Sequence, residues 1–259
     1  MANVRTRKAL ALTLGALVLT AIVGCSDPTS SKDHTRTIVL PARDDAHITA
    51  NAASADDPQS LRSKNYGSED ALAVSYANKI NGSPQLVVSV ALTQFDTASL
   101  KGLEVQSATL QLFGVRVDLT EPVRLVDVSP TTGAWSEKDV TFDRKPEWPG
   151  TAIATAAVYA ANVWYSWDVT ATVAAAKGGD VGYVLGLRSL DDGKAEQALF
   201  ASHEASGTNA PRLVVIYRSR ESVIPLWAII AAAAAVVVLV ALAFVVGLRL
   251  ARRKAVTPS

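Results

Sequence analysis

The chain has 259 residues, 49% of them hydrophobic and 19% charged, with a net charge of +1 and a single cysteine. The ends carry a charge of +7, whereas the 197 residues from 26 to 222 carry 18 bases against 24 acids. This acidic middle argues against a nucleic-acid binder, and one cysteine argues against a disulfide-stapled domain. The middle is long enough to form one domain with a buried core.

Residues 1–24 predict a lipoprotein-type signal peptide. Three basic residues precede an apolar run from 9 to 23, which is short for a membrane-spanning helix. The sequence Ile22-Val23-Gly24-Cys25 resembles the bacterial lipobox, which implies cleavage before Cys25 and attachment of diacylglycerol to its sulfur. The alternative is an ordinary signal peptide with an incidental cysteine. The polar residues 25–37 are expected to form a flexible tether.

Residues 224–248 predict one transmembrane helix. Positions 226–248 contain no charged residue, and as a helix they would cross the roughly 30 Å hydrocarbon layer. Trp227 would lie at the outer interface, and the four basic residues of the tail 249–259 would lie in the cytoplasm. A buried helix of a soluble protein is the alternative. We expect a single-pass protein of the cell membrane, with its middle outside the cytoplasm.

Residues 38–218 read as an all-β domain. Short segments of alternating hydrophobicity are separated by turn residues, a pattern typical of an antiparallel β-sandwich, here jelly-roll-like with roughly eight to ten strands. The predicted strands are 72–74, 86–90, 105–113, 123–128, 165–169, 183–187, 198–202 and 212–217. One helix is predicted over 170–177, ended by Gly178-Gly179.

The order of motifs between Asp45 and Tyr217 resembles the DNRLRE domain family, a β-sandwich group classed with carbohydrate-binding modules. The matching segments are 45–48, 65–67, 95–96, 105–113, 135–137, 140–142, 146, 167–170, 200–204 and 211–215. This resemblance implies a sandwich fold and a non-catalytic role in binding sugars. Two departures are Phe142, where the family often has tryptophan, and His203, where it often has arginine.

Catalysis has little support in the sequence. The three histidines fall at unrelated spacings, and no second cysteine is present to form a thiolate or zinc cluster. Glu137 and Glu204 could meet in space as a carboxylate pair, but the alternative is that they fix loops through hydrogen bonds or ion pairs. We therefore expect no enzyme activity.

A calcium ion is the one cofactor the sequence suggests, because extracellular sandwiches often hold loops with sites made of oxygen ligands. The candidate metal ligands are Asp45, Asp168 and Glu204. No twelve-residue calcium loop is present, and Asp191-Asp192-Gly193 predicts a hairpin turn.

Sugar binding requires exposed aromatic faces that stack on pyranose rings beside polar groups. Trp135 and Trp167 lie in framework motifs and are expected in the core. Trp148, in a proline-flanked loop, and the neighbours Trp164 and Tyr165 are the candidate ligand-binding residues. The alternative for Trp148 is a lid over the core.

Together these features predict a non-catalytic cell-surface protein that binds cell-envelope or extracellular polysaccharide, such as a cell-wall glycan. A protein-interaction scaffold of the envelope that has lost sugar binding is the second hypothesis, and a polysaccharide-degrading enzyme is the third. Fold resemblance alone does not separate the three.

Overall fold

The computed structural model describes residues 32–52, 57, 59–80, 83–119, 123–188, 195–205, 207–221 and 226–254. The predicted signal peptide, Cys25 and the predicted turn 191–193 lie outside these residues. The strands, apart from the outermost two residues of the first and of the last, belong to one compact unit, His34–Ser219. The C-terminal helix belongs to a second unit, which is described separately.

Eleven β-strands lie in the described part of the chain. They are β1 (Lys32–Pro41), β2 (Asp44–Asn51), β3 (Ala71–Ile80), β4 (Ser83–Phe95), β5 (Glu104–Asp118), β6 (Arg124–Thr131), β7 (Ala154–Val158), β8 (Val163–Asp168), β9 (Val181–Leu187), β10 (Glu196–Ala201) and β11 (Arg212–Glu221). A 3₁₀ turn covers Ala98–Leu100, α1 covers Thr170–Ala176 and α2 covers Leu226–Lys254. The all-β prediction is confirmed.

The strands form one curled antiparallel sheet, consistent with the predicted sandwich. The main path runs β1-β11-β5-β10-β3-β4-β9-β6-β7, with β2 added to β4 and β8 added to β5. The two longest strands, β4 and β5, therefore each pair with three others. On β5, Ala108, Leu110 and Leu112 are buried and the residues between them are only partly covered, as expected for a strand with one face on the core.

The main core fills the inside of this curled sheet. Trp167 of β8 is 1% exposed, and its Nε1 donates a hydrogen bond to the carbonyl of Val126 at 2.9 Å. Its ring meets Phe200 of β10 edge to face, with 6.2 Å between ring centroids. This burial confirms Trp167 as a core residue.

The sequence pattern does not predict three of the strands. Residues 32–37 belong to β1, so the predicted tether is wrong over that stretch. Their polar composition does not favour a strand, and the strand is stabilised by its pairing with β11. β2 and the alanine-rich β7 were also missed. In contrast, α1 confirms the predicted helix, and it ends where Lys177 and Gly178 take positive φ angles of 51° and 87°.

The C-terminal helix α2 coincides with the apolar run near the end of the chain. Its side chains are described from Ile229 to Phe244, and all of them are exposed, with Val237 and Phe244 each at 68%. Over the residues that the structure describes, no helix is both long and apolar enough to cross a membrane. The span expected over residues 224–248 is therefore not shown.

Replacing Trp167 with alanine should lower the free energy of unfolding by about 3–5 kcal/mol, because it removes a large core side chain and leaves a cavity. The measurement is urea denaturation followed by far-UV circular dichroism. Val39→Ala is the control, since Val39 is 52% exposed and its truncation should cost less than about 1 kcal/mol. Equal losses in both variants would contradict the assignment of this core.

Candidate functional site

The outer face of β5, β8 and β11 carries an aromatic and polar patch. On β8, Trp164 and Ser166 face outward, while Tyr165 and Trp167 between them face the core. Trp164 lies opposite Phe113 of β5, and the two rings meet edge to face with 5.4 Å between centroids. We call the patch the Trp164 platform; its members are Gln111, Phe113, Trp164, Ser166 and Arg212.

Arg212, at the start of β11, completes this platform. Its guanidinium carbon lies 3.9 Å from the centroid of the Trp164 ring, a close cation–π contact. Its Nε donates to Gln111 Oε1 at 2.8 Å, and Gln111 Nε2 donates to Ser166 Oγ at 3.2 Å. Among the described residues, no carboxylate forms an ion pair with Arg212. The platform thus combines an indole with a cation that forms no ion pair with any carboxylate in the described part of the chain.

Tyr165 does not belong to this surface, although the sequence analysis grouped it with Trp164. It is 4% exposed, its hydroxyl donates to the carbonyl of Ala160 at 2.6 Å, and its ring packs against Tyr159 and Phe200. Adjacent residues of a β-strand point to opposite faces, so Trp164 and Tyr165 cannot both face outward. Tyr165 is therefore a core residue and is not available for stacking on a sugar.

Trp148 lies in a different place, over the outer face of β2, β4 and β9. A second apolar cluster there contains Ile48, Leu92 and Val184, and Trp135, Phe142 and Trp148 pack against it. The Lys145 ammonium lies 5.6 Å from the Trp148 ring centre. Trp148 is half-buried against this cluster, a position that fits the alternative of a lid over the core.

The loop between β6 and β7 forms an open cleft of about 710 Å³. The cleft is closed at its base by a bridge in which Thr132 N donates to the carbonyl of Glu147 at 2.8 Å. Trp135, Lys145 and Glu147 line it, whereas Trp148 does not. The residues that line it are separate in sequence from those of the Trp164 platform.

Four polar residues from three parts of the chain meet around one imidazole. His203 Nδ1 lies 3.3 Å from Asp45 Oδ1, and its Nε2 lies 3.0 Å from Glu204 Oε1 and 3.4 Å from Glu137 Oε2. The His203 backbone N–H also donates to Asp45 Oδ2 at 2.9 Å. We call these four residues the His203 cluster. The ion-pair alternative for Glu137 and Glu204 is thus the one that the structure favours.

Local contacts hold the cluster in position. Asp45 lies at the start of β2, paired with Thr93 of β4, and His203 and Glu204 follow β10 after Ser202. The Glu137 carbonyl accepts a hydrogen bond from Asn65 Nδ2 at 2.6 Å. A Cβ on Gly67 would lie 2.0 Å from that same carbonyl oxygen, so only glycine permits this approach.

The third predicted metal ligand, Asp168, lies elsewhere. Its Oδ1 accepts hydrogen bonds from the backbone N–H of Thr170 at 2.9 Å and from the Thr170 hydroxyl at 2.6 Å, which lower the pKa of Asp168. Asp168 thus accepts hydrogen bonds from the first residue of α1. Of the predicted ligands, only Asp45 and Glu204 come together; His203 was missed, because sequence spacing did not reveal that it lies between them.

Burial dominates the electrostatics of Asp45, which is completely inaccessible to solvent. Its removal from water raises its pKa from an ordinary value of 3.8 to about 7, opposed by the charge of His203 and assisted by that of Glu204. Among the buried polar side-chain atoms of the described residues, Asp45 Oδ1, Glu137 Oε2, His203 Nδ1 and Glu204 Oε2 form no hydrogen bond. Three carboxylate oxygens and one imidazole nitrogen of the cluster therefore have no hydrogen-bond partner in the described part of the chain.

In buffer containing a chelator, the free energy of unfolding should fall as the pH rises from about 4 to about 7. Over this range folded Asp45 retains a proton that the unfolded chain releases, so the folded state binds more protons and loses stability with increasing pH. The measurement is urea denaturation at several pH values. Asp45→Asn, which cannot titrate, should flatten the slope, and an unchanged slope would contradict this assignment.

The domain that carries these surfaces matches one known family. The model of carbohydrate-binding module family 96 aligns with residues 43–217, more than half of the chain and almost all of the strand-forming unit. No curated protein matches the chain. The aligned region begins just before Asp45 and ends with β11, so it includes both the His203 cluster and the Trp164 platform. The chain therefore belongs to carbohydrate-binding module family 96.

Proposed function

We propose that this protein is a non-catalytic module that binds polysaccharide through the Trp164 platform. The observation that carries the proposal is the contact between the Arg212 guanidinium and the Trp164 ring on an outward sheet face. Flat aromatic groups pack against the C–H faces of pyranose rings, and neighbouring polar side chains bind the hydroxyls. Gln111 and Ser166 supply those polar groups beside the indole.

The charge of the platform favours a polysaccharide that carries carboxylates. Arg212 uses its Nε for Gln111, and among the described residues its two terminal nitrogens have no hydrogen-bond partner. A guanidinium presents paired N–H donors that match the two oxygens of a carboxylate. An acidic sugar would therefore gain a charge-assisted contact that a neutral sugar would not.

The position of the glutamates supports a binding role over a hydrolytic one. Glycosidases place two carboxyl groups about 5–9.5 Å apart across an open site, so that a sugar can lie between them. Here an imidazole lies between Glu137 and Glu204, and contacts both at 3.4 Å and 3.0 Å. The imidazole occupies the space between this pair of carboxyl groups, which supports a structural role for these two glutamates rather than a hydrolytic one.

We further propose that the module is held at the outer surface of a cell membrane, with the C-terminus in the cytoplasm. The lipobox-like sequence before Cys25 supports an N-terminal lipid, and the basic residues after position 248 support a cytoplasmic tail. The exposed apolar side chains of α2 from Ile229 to Phe244 would be costly in water, which supports an apolar environment for this helix.

Trp164→Ala should weaken polysaccharide binding at least about tenfold, since loss of about 1.4 kcal/mol of stacking energy raises Kd by that factor. The measurement is affinity gel electrophoresis of the full-length chain in mild detergent, with a polyuronate and a neutral glucan in parallel gels. Arg212→Gln should reduce retardation by the polyuronate more than retardation by the glucan.

Trp148→Ala is the matched control, because Trp148 is also a partly buried tryptophan but packs on the second apolar cluster, away from the platform residues. It should retain binding. Loss of binding only in Trp148→Ala would move the site to the β6–β7 loop. If neither polymer retards the wild-type chain, the sugar hypothesis fails, and co-purification of an envelope protein would then favour the scaffold hypothesis.

Mass spectrometry of the mature N-terminus from membranes should find a diacylglyceryl group on Cys25. Cys25→Ser should abolish that modification, and α2 should still keep the protein in the membrane fraction after a carbonate wash. A mature N-terminus beyond residue 25, without lipid, would contradict the lipoprotein assignment. Release of Cys25→Ser by the wash would contradict anchoring through α2.

A further inference from the structure

The His203 cluster contains more negative than positive groups. Three carboxyl groups, from Asp45, Glu137 and Glu204, surround one imidazole, and in the described residues no lysine or arginine forms an ion pair with any of them. Each of the four side chains has a buried atom without a hydrogen bond. Buried polar atoms are normally satisfied by hydrogen bonds. Here Asp45 Oδ1 faces His203 Nδ1 at 3.3 Å and Glu137 Oε2 lies 3.4 Å from His203 Nε2, so three acids share one imidazole and a further positive partner would improve the balance.

We propose that Asp45, His203 and Glu204 bind a divalent transition-metal ion of the Zn²⁺ type, with Glu137 as the fourth side chain of the site. Each of the first three residues offers one ligand atom, and these atoms lie within 4.8 Å of one another. Asp45 is fully buried, and its Oδ1, which forms no hydrogen bond, faces His203. This buried oxygen distinguishes the cluster from an ordinary group of surface acids.

The spacing of the atoms suits a small coordination shell. Zinc lies about 2.0–2.2 Å from nitrogen and oxygen ligands, so two ligands of a tetrahedral shell are roughly 3.4 Å apart. The two short contacts lie on opposite ring nitrogens of His203: Nδ1 is 3.3 Å from Asp45 Oδ1, and Nε2 is 3.0 Å from Glu204 Oε1. A metal bound to one of these nitrogens would therefore find one carboxylate oxygen at ligand separation already, and the oxygen of the other carboxylate would have to move towards it. Small side-chain shifts would bring the outermost atoms of the set inward.

The donor set selects among metals. Calcium prefers six to eight oxygen ligands, whereas imidazole nitrogen suits zinc and its first-row neighbours. Because His203 lies at the centre of the cluster, the site is a mixed nitrogen and oxygen site. This changes the expectation of calcium that the sequence suggested from acids alone.

A metal here would tie together three segments that are distant in sequence. Asp45 lies on β2, Glu137 on the β6–β7 loop, and His203 and Glu204 on the segment after β10. Trp135, two residues before Glu137, lines the open cleft of that loop. The metal would therefore stabilise the fold and fix the loop that forms the cleft.

The test is thermal unfolding of the full-length chain in mild detergent, after chelator treatment and dialysis, with Zn²⁺, Ca²⁺ or Mg²⁺ added. Zn²⁺ should raise Tm in a saturable manner, by roughly 5–10 °C at a hundredfold excess over Kd, and Ca²⁺ and Mg²⁺ should raise it less. Isothermal titration should give one Zn²⁺ per chain for this site.

Two variants locate the effect. His203→Arg places a positive charge among the carboxylates but removes the metal ligand, so it should fold and lose the Zn²⁺-dependent rise in Tm. Asp168→Asn changes the candidate acid that lies outside the cluster and should retain the full rise. An equal Zn²⁺ response in His203→Arg and wild type would overturn the proposal, as would no response in wild type. The latter result would mean that His203 neutralises the carboxylates without a metal.

Discussion

Two long strands position both candidate sites. β4 and β5 each hydrogen-bond to three other strands, so both edges of each are occupied. On β5, Leu110 points into the core, while Gln111 and Phe113 form the floor of the Trp164 platform. On β4, Thr93 pairs with Asp45 and thereby places the His203 cluster. Both candidate sites depend on the register of these two strands.

The sequence predicted the parts of the fold whose residues carry local information. Alternation identified β5, and the glycines after α1 marked its end. β1 and β7 were missed because their pairing comes from strands distant in sequence, and polar or alanine-rich segments have weak intrinsic β preference. The same distinction applies to the Trp164 platform. Trp164 can be predicted from its residue type and its position, whereas its contact with Arg212 depends on the order of strands in the sheet.

The two sites differ in how freely their residues can be substituted. The platform is a surface assembled from side chains that alternate with core residues, so its members can change without loss of the strands beneath. The His203 cluster is an interior arrangement, in which the buried Asp45 carboxyl and the close approach of Gly67 to Glu137 leave little freedom. Substitutions in the Trp164 platform would therefore change ligand preference, whereas substitutions in the His203 cluster would change the stability of the domain.

The sequence separation within the His203 cluster has a consequence for folding kinetics. Asp45 and His203 are 158 residues apart, so their contact requires closure of most of the domain. We therefore expect the carboxylates to stay hydrated until β2 and the segment after β10 are both in place, late in folding. Interactions that form late act mainly on the unfolding rate. On this basis we expect the cluster to affect how long the folded domain lasts more than how quickly it forms.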